Sequence, residues 1–338
     1  MTSTDIVIRP VSGLDPAQDD LFREWAAVQE ASARATFGED HSSWGVEELR
    51  ELERSTERLR LSWVALDGDH RVVAGVNVAM PRHDNTTMAG IDLVVHPARR
   101  RAGLGTRVLQ HAEARAAEHG RTLLLAETQW PVTGTDGCGE GFAAQHGYAA
   151  AQTVVRSTLT LPGDRAALRA VLGSRDGDGY AVHTVWDGVP DRWLAGRAEL
   201  SRRMSTDIPL GDLQLEEEVW DEDRVREGYA RIAAMGRRVA DTFAVDESTG
   251  RLVGYTQVQV GAPPDLAYQQ DTLVMREHRG HGLGLRLKAA NTLAVMTELP
   301  EVTRIRTWNA DDNLHMLAVN REIGYEQDAW LREWQKVV

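Results

Sequence analysis

Two stretches of this chain lie over one another without a gap. Ile91-Asp-Leu-Val-Val-His-Pro-Ala-Arg-Arg-Arg-Ala-Gly-Leu-Gly105 matches Gln270-Asp-Thr-Leu-Val-Met-Arg-Glu-His-Arg-Gly-His-Gly-Leu-Gly284. Asp92 falls on Asp271, Arg100 on Arg279, Gly103 on Gly282 and Gly105 on Gly284, each pair 179 residues apart. That period is the size of a domain and far exceeds a solenoid repeat. It restricts the chain to folds in which one domain is built twice, which suits its 338 residues.

The surroundings repeat too. Trp63-Val-Ala-Leu66 then Val72–Val78, and Thr242-Phe-Ala-Val245 then Leu252–Val258, read as strand pairs. Asp67-Gly-Asp69 and Asp246-Glu-Ser-Thr-Gly250 join them as hairpin turns. After each glycine segment comes a helical face, Leu104, Val108, Leu109 and Ala112, or Leu283, Leu287, Ala290 and Leu293. A short strand, a short helix and a Gly-aromatic pair follow, Gly147-Tyr148 or Gly324-Tyr325. Each half opens with a strand and two amphipathic helices, spanning 17–37 and 45–54, or 191–204 and 222–235. The order per half is therefore β, α, α, β, β, β, α, β, α, β. It mixes hairpins with a βαβ crossover, so the fold class is α+β, or mixed α/β. The polar, Gly-rich flanks of 163–179 place a linker there, between domains 1–162 and 180–338.

Composition narrows the chemistry. A formal net charge of −13 argues against nucleic acid, whose phosphates need clustered Lys and Arg. The single cysteine, Cys138 in the run Gly134–Gly141, rules out an intrachain disulfide framework and suits a reducing cytoplasm. Nothing approaches the ~20 apolar residues of a membrane span, and Met1-Thr-Ser-Thr-Asp5 has no signal-peptide character. The expectation is a cytoplasmic protein, monomer or homodimer, without a membrane partner or bound metal.

In each copy a strand ends, the chain turns through Arg-x-x-Gly-x-Gly, and a helix begins. The first turn of a helix offers unpaired N–H groups and positive partial charge, and glycines admit close approach and positive φ. Together they make a phosphate cradle, to which Arg100, Arg101 and Arg107, or Arg276, Arg279 and Arg286, can add charge. A Walker A loop is excluded because Gly-Lys-Ser/Thr is missing, and a dinucleotide fingerprint because no third glycine follows.

Strand–Arg-x-x-Gly-x-Gly–helix resembles motif A of the GNAT superfamily of acetyltransferases, and the likeness covers both halves. The resemblance implies two tandem GNAT domains, each a twisted mixed sheet flanked by helices. It implies acetyl-coenzyme A as cosubstrate, its pyrophosphate held by backbone amides of Arg101, Ala102, Gly103, Leu104, Gly105 and Thr106, and of Gly280, His281, Gly282, Leu283, Gly284 and Leu285. Its pantetheine lies along Leu93, Val94 and Val95, or Thr272, Leu273 and Val274. Asn309 and Asn313 match the family's Asn pattern, in which Asn contacts the coenzyme and pins the last helix; the first copy lacks it.

For the chemistry, Asp92 and Asp271 are the candidate bases, since Asp is uncommon in strands and some family members carry an Asp at this place. The family's usual acid, a Tyr four residues before the Gly-aromatic pair, is replaced by Ala143 and Asn320, which leaves Tyr325, His315, Tyr268 or water as substitutes. Glu127 could reach a site in the first half. Trp186, Trp193, Trp220, Trp308, Trp330 and Trp334 crowd the second half, where one or two could line an acceptor pocket, and the acidic run Glu216–Asp223 could form its lip. The expected function is transfer of acetyl to a primary amine of a small molecule, with the C-terminal copy catalytic. Two alternatives stand beside it, a non-catalytic coenzyme A-binding or regulatory protein and a peptidyl or aminoacyl transferase.

Overall fold

The computed structural model describes residues 6–134, 138–175, 177–207 and 209–338. The reading of residues 1–5 as no signal peptide, and the side chain of Cys138, lie outside the described residues. The chain divides into two compact units, residues 1–153 with 330–338, and residues 154–329.

Unit 1 contains β1 (Val7–Val11), α1 (Asp19–Phe37), α2 (Val46–Glu53), β2 (Arg58–Leu66), β3 (Val72–Pro81), β4 (Met88–Val95), α3 (Leu104–Glu118), β5 (Leu123–Pro131), α4 (Cys138–Gln145) and the start of β6 (Ala149–Thr160). Its strands run in the order β1-β2-β3-β4-β5, antiparallel except for the parallel pair β4 and β5. Beside β5 lies the C-terminal part of β12 (Glu326–Val337). Trp334 on that strand is buried and donates its indole N–H to Thr128 Oγ1 at 2.9 Å, which ties it to β5.

Unit 2 holds the rest of β6, α5 (Arg165–Gly173), β7 (Tyr180–Trp186), α6 (Leu194–Asp207), α7 (Glu222–Ala234), β8 (Arg238–Asp246), β9 (Arg251–Val260), β10 (Leu266–Val274), α8 (Leu283–Glu298), β11 (Arg304–Ala310), α9 (Leu314–Ile323) and the start of β12. Its strand order is β6-β11-β10-β9-β8-β7, with β10 and β11 parallel. The element order expected from the repeat is the order observed in both halves.

The boundaries differ from the linker drawn at 163–179. Asp164 caps α5 by accepting from the amides of Ala166 and Ala167, Leu168 is buried, and Arg165 donates to the Met296 carbonyl at 2.5 Å. A helix that packs its apolar side on α8 belongs to unit 2 rather than to a free connection.

That packing also corrects the face expected for α8. Leu283 and Leu287 are buried, but Ala290 and Leu293 are only partly so, while Lys288, Asn291 and Thr292 are buried as well. Covered on both sides, α8 must satisfy polar groups inside: Asn291 donates to the Ala240 carbonyl at 2.9 Å and to Thr242 Oγ1 at 3.0 Å. Lys288 instead lies 5.2 Å from the Tyr325 ring centroid, and burial depresses its ammonium to about 7.

Because that value lies below the ordinary 10.5, folding disfavours the charged lysine. The penalty is full below about pH 7 and fades as pH rises toward 10.5. Lys288→Met should therefore raise the melting temperature at pH 7, with the gain shrinking in melts taken at pH 8, 9 and 10.

Candidate functional site

Both units are built around the same local event. In unit 1, β4 pairs with β5 only through Met88, Ala89 and Gly90, and in unit 2, β10 pairs with β11 only through Leu266, Ala267 and Tyr268. Beyond those points the parallel strands part, and β4 and β10 run on with one edge open. Leu93, Val94 and Val95 pair with β3 on the other side, and Thr272, Leu273 and Val274 with β9. The open edges therefore fall on the residues expected to lie along a bound chain.

Each open edge leads into a 3-10 turn, Pro97–Arg99 or Arg276–His278, and then into the helix. Gly103 and Gly282 cap α3 and α8 with φ of 77° and 69°. Two residues earlier the chain again needs positive φ, and here the copies differ: Gly280 takes 85°, but Arg101 takes 64°. A side chain in that region strains the backbone. A Cβ on Gly280 or Gly284 would meet nothing within 4 Å, whereas one on Gly105 would come 3.2 Å from the Phe142 ring. In unit 2 the glycines hold space above the amides open; in unit 1, Gly105 lets α4 close onto α3. The first-turn amides at Leu104, Gly105 and Thr106, and at Leu283, Gly284 and Leu285, have no carbonyl one turn behind them within the helix.

The arginines are placed differently from the expectation that they charge the cradle. Arg100 Nε donates to the Val95 carbonyl at 3.3 Å and Arg279 Nε to the Val274 carbonyl at 3.1 Å, each clasping its turn to the strand. Arg107 reaches the Ile6 carbonyl, Arg286 is buried against Asp178, and Arg276 pairs with Asp207 at 3.1 Å. The cradle's positive potential rests chiefly on backbone dipoles.

The two candidate bases have different surroundings. Asp271 sits where β10 is bulged against β9, between Gln269 and Thr272, and accepts from the Tyr255 hydroxyl at 2.9 Å. Tyr255 is buried with the Arg197 guanidinium 4.0 Å from its ring centroid, and Arg197 is itself buried. Asp241 completes this cluster, accepting from Tyr229 and Gln257. Asp92 lies on a regular stretch of β4 opposite Asn77. Solvent reaches it through the cleft mouth, yet loss of hydration raises its carboxyl and nearby Arg60 opposes the rise. Across the open splay Glu127 is pushed up to about 7, first by desolvation and then by Glu333 and Asp92. Glu333, on β12, is itself raised by burial.

The remaining candidates are mostly structural. Asn313 caps α9 by accepting from the Met316 amide at 3.2 Å, and Asn309 accepts from Asn320 at 2.7 Å, which ties α9 to the end of β11. Tyr325 is buried, so its phenol cannot serve as the missing acid; His315 is exposed on α9, and Tyr268 stacks on Trp308. In the acidic run, Asp221 caps α7 and Glu218 accepts from Trp220.

The tryptophans that line a pocket are not those of the second half. Phe22, Trp25 and Trp44 of unit 1, with Asp92 in the floor, surround about 380 Å³ of space including its mouth. Sequence reading missed that pocket, Glu333, and the Arg197–Tyr255–Asp241 cluster. One signal was present: Ser62, Asn77 and Asp92 are polar positions in three successive strands, but only the register shows that they form one row.

Arg101→Gly should relieve the strained turn by about 1 kcal/mol, a rise of roughly 2–4 °C in melting temperature. Gly280→Ala should lower it; equal melting curves for both variants and the parent protein would refute the strain.

These features have counterparts among known proteins. The acetyltransferase (GNAT) family matches residues 25–131 and 210–325, together more than half the chain. No curated protein sequence matches. Among solved structures, a tandem GNAT protein from the clavulanic acid biosynthesis pathway, solved without acetyl-coenzyme A, is similar with a TM-score of 0.80 and 28% identity over 98% of both chains. A GCN5-related N-acetyltransferase from Sphaerobacter thermophilus has a TM-score of 0.64 and 16% identity, covering 98% of this chain and 95% of that one. A glucosamine N-acetyltransferase region of a fungal beta-N-acetylglucosaminidase has 0.69 and 14%, covering 99% and 38%. The last two speak for the fold alone. Matched twice along its length, with strand, turn and helix in the same arrangement each time, this chain belongs to the GNAT acetyltransferase family and carries two such domains in tandem.

Proposed function

We propose that the protein moves an acetyl group from acetyl-coenzyme A to a primary amine of a small molecule, by direct attack within a ternary complex, and that unit 2 is a catalytic site. The observation that carries this is the open edge of β10 running straight into a positive-φ turn at a helix N-terminus. A chain with amides and a diphosphate fits it: main-chain groups of Thr272–Val274 bind the amide arm, and amides of Gly280–Leu285 bind the diphosphate. The open space above Gly284 supports that fit. Unit 1 offers the same groups on Leu93–Val95 and Arg101–Thr106.

The coenzyme supplies a thioester, whose carbonyl carbon accepts the amine nitrogen as the carbon–sulfur bond breaks and the thiol departs. The chain's own part is to orient and to take the amine's proton. Bulges re-aim side chains beside active sites, and Asp271 sits on one, steadied by the Tyr255 hydroxyl. Its role is base for that proton. A main-chain N–H on the open edge of β10 suits the oxygen that gains charge.

The reading of a coenzyme-binding protein without turnover is favoured by one observation. Ala143 and Asn320 occupy the positions of the usual phenol, and the nearby Tyr148 and Tyr325 are buried.

Calorimetric titration with acetyl-coenzyme A and thiol release over a panel of amines test both readings. Gly282→Ala with Gly284→Ala should abolish thiol release, and Asp271→Asn should lower kcat by about 10²-fold with coenzyme affinity unchanged. Loss only on changing Gly103 and Gly105 would move the assignment to unit 1; uptake without turnover on any amine would favour the second reading; no uptake would end both.

A further inference from the structure

Unit 1 contains a pocket that the cradle and its splay do not explain. Its walls are Phe22 and Trp25 from α1, Trp44 from the segment before α2, and Leu49 and Leu52 from α2. Its floor is the cross-strand row Ser62, Asn77 and Asp92 on β2, β3 and β4, where Asn77 donates to Ser62 Oγ at 2.9 Å and accepts from Arg60 at 3.2 Å. The far end of that row, Asp92, stands on the open strand of the splay, opposite Glu127 on β5 and Glu333 on β12. The pocket thus runs from apolar walls to a carboxylate at the place where a thioester lying along β4 would end.

The matching face of unit 2 is filled. Asp241 stands 179 residues after Ser62. It is buried, with Tyr229 and Gln257 on its carboxylate, and Arg197 covers Tyr255 beside it. A fold built twice has kept this space in one copy and closed it with charged side chains in the other.

From this we infer that unit 1 is a second acceptor site, whose pocket takes a primary amine carrying a flat, apolar body and directs its nitrogen to Asp92 and Glu127. The inference rests on the acetyl-transfer reading for its chemistry but not for its binding. Aromatic walls favour flat apolar groups and hold a cation on their faces. A hydrophilic polyamine or an amino sugar would leave hydroxyls or further amines unpaired against Phe22 and Trp25, a costly outcome. The balance of the step is simple: the amine nitrogen bonds to the acetyl carbon, the carbon–sulfur bond breaks, coenzyme A leaves as its thiol, and the amine's extra proton passes to Glu127. The charged groups facing Glu127 are Asp92 on β4 and Glu333 on β12, and Arg60 on β2 acts on Asp92.

The test uses the full chain, with tryptamine as probe and spermidine and glucosamine as contrasts. Calorimetry without acetyl-coenzyme A should show tryptamine binding at least ~10-fold more tightly than either contrast. Trp44, 43% exposed at the pocket, can be changed without opening the core. Trp44→Ala should weaken tryptamine by about 5-fold or more, with Trp44→Tyr restoring most of the loss. With acetyl-coenzyme A added, Glu127→Gln should lower kcat for tryptamine by about 10²-fold and remove the rise in rate through pH 7. The inference is overturned if tryptamine does not bind, if Trp44→Ala binds it as well as the parent protein does, or if Glu127→Gln leaves the pH profile unchanged. Acetylation of spermidine or glucosamine without tryptamine binding removes the pocket and leaves the transfer reading intact. Tryptamine binding lost in Trp44→Ala, with no uptake of acetyl-coenzyme A, keeps the pocket and removes the transfer chemistry.

Discussion

Two parallel strands that pair for three residues and then part are the constraint on which the rest of each unit depends. A buried strand edge without partners is costly, so the opening persists only where something holds it. Here the far side of each open strand is fixed by its antiparallel neighbour, β3 or β9. The near end is fixed by an arginine that bonds the last strand carbonyl, Val95 or Val274. The splay is therefore a stable slot whose main-chain groups face solvent or a ligand.

The same frame has been filled in two ways. In unit 1 the row Ser62–Asn77–Asp92 is left facing a pocket with aromatic walls. In unit 2 the corresponding face carries Arg197, Tyr229, Tyr255 and Asp241, and β10 has acquired a bulge at Asp271 that β4 lacks at Asp92. A buried cluster of this kind holds together only while every member is satisfied. It steadies Asp271 through Tyr255 and takes up the volume that unit 1 keeps open. The turns diverge as well, with Gly280 in one and a strained Arg101 in the other.

The motif was legible because its physics is local. Strand, turn and helix N-terminus follow from Gly103, Gly105, Gly282 and Gly284 together with the apolar periodicity around them, and the repeat at 179 residues doubled the signal. The arginines were misjudged for the opposite reason. An Arg beside a phosphate cradle and an Arg clasping a carbonyl look the same in one dimension, and only the path of the turn shows that Arg100 and Arg279 reach back to the strand.

The sequence by itself determined the number of domains, the order of elements in each, the cradle and the two aspartates at the strand ends, since each depends on residues close together along the chain. Tertiary structure alone decided where the units divide, that α5 packs on α8, that the last strand of unit 1 comes from the C-terminus, and which copy keeps a pocket. Those outcomes depend on which residues from distant segments share a layer, and register and helix packing set that across a hundred residues or more.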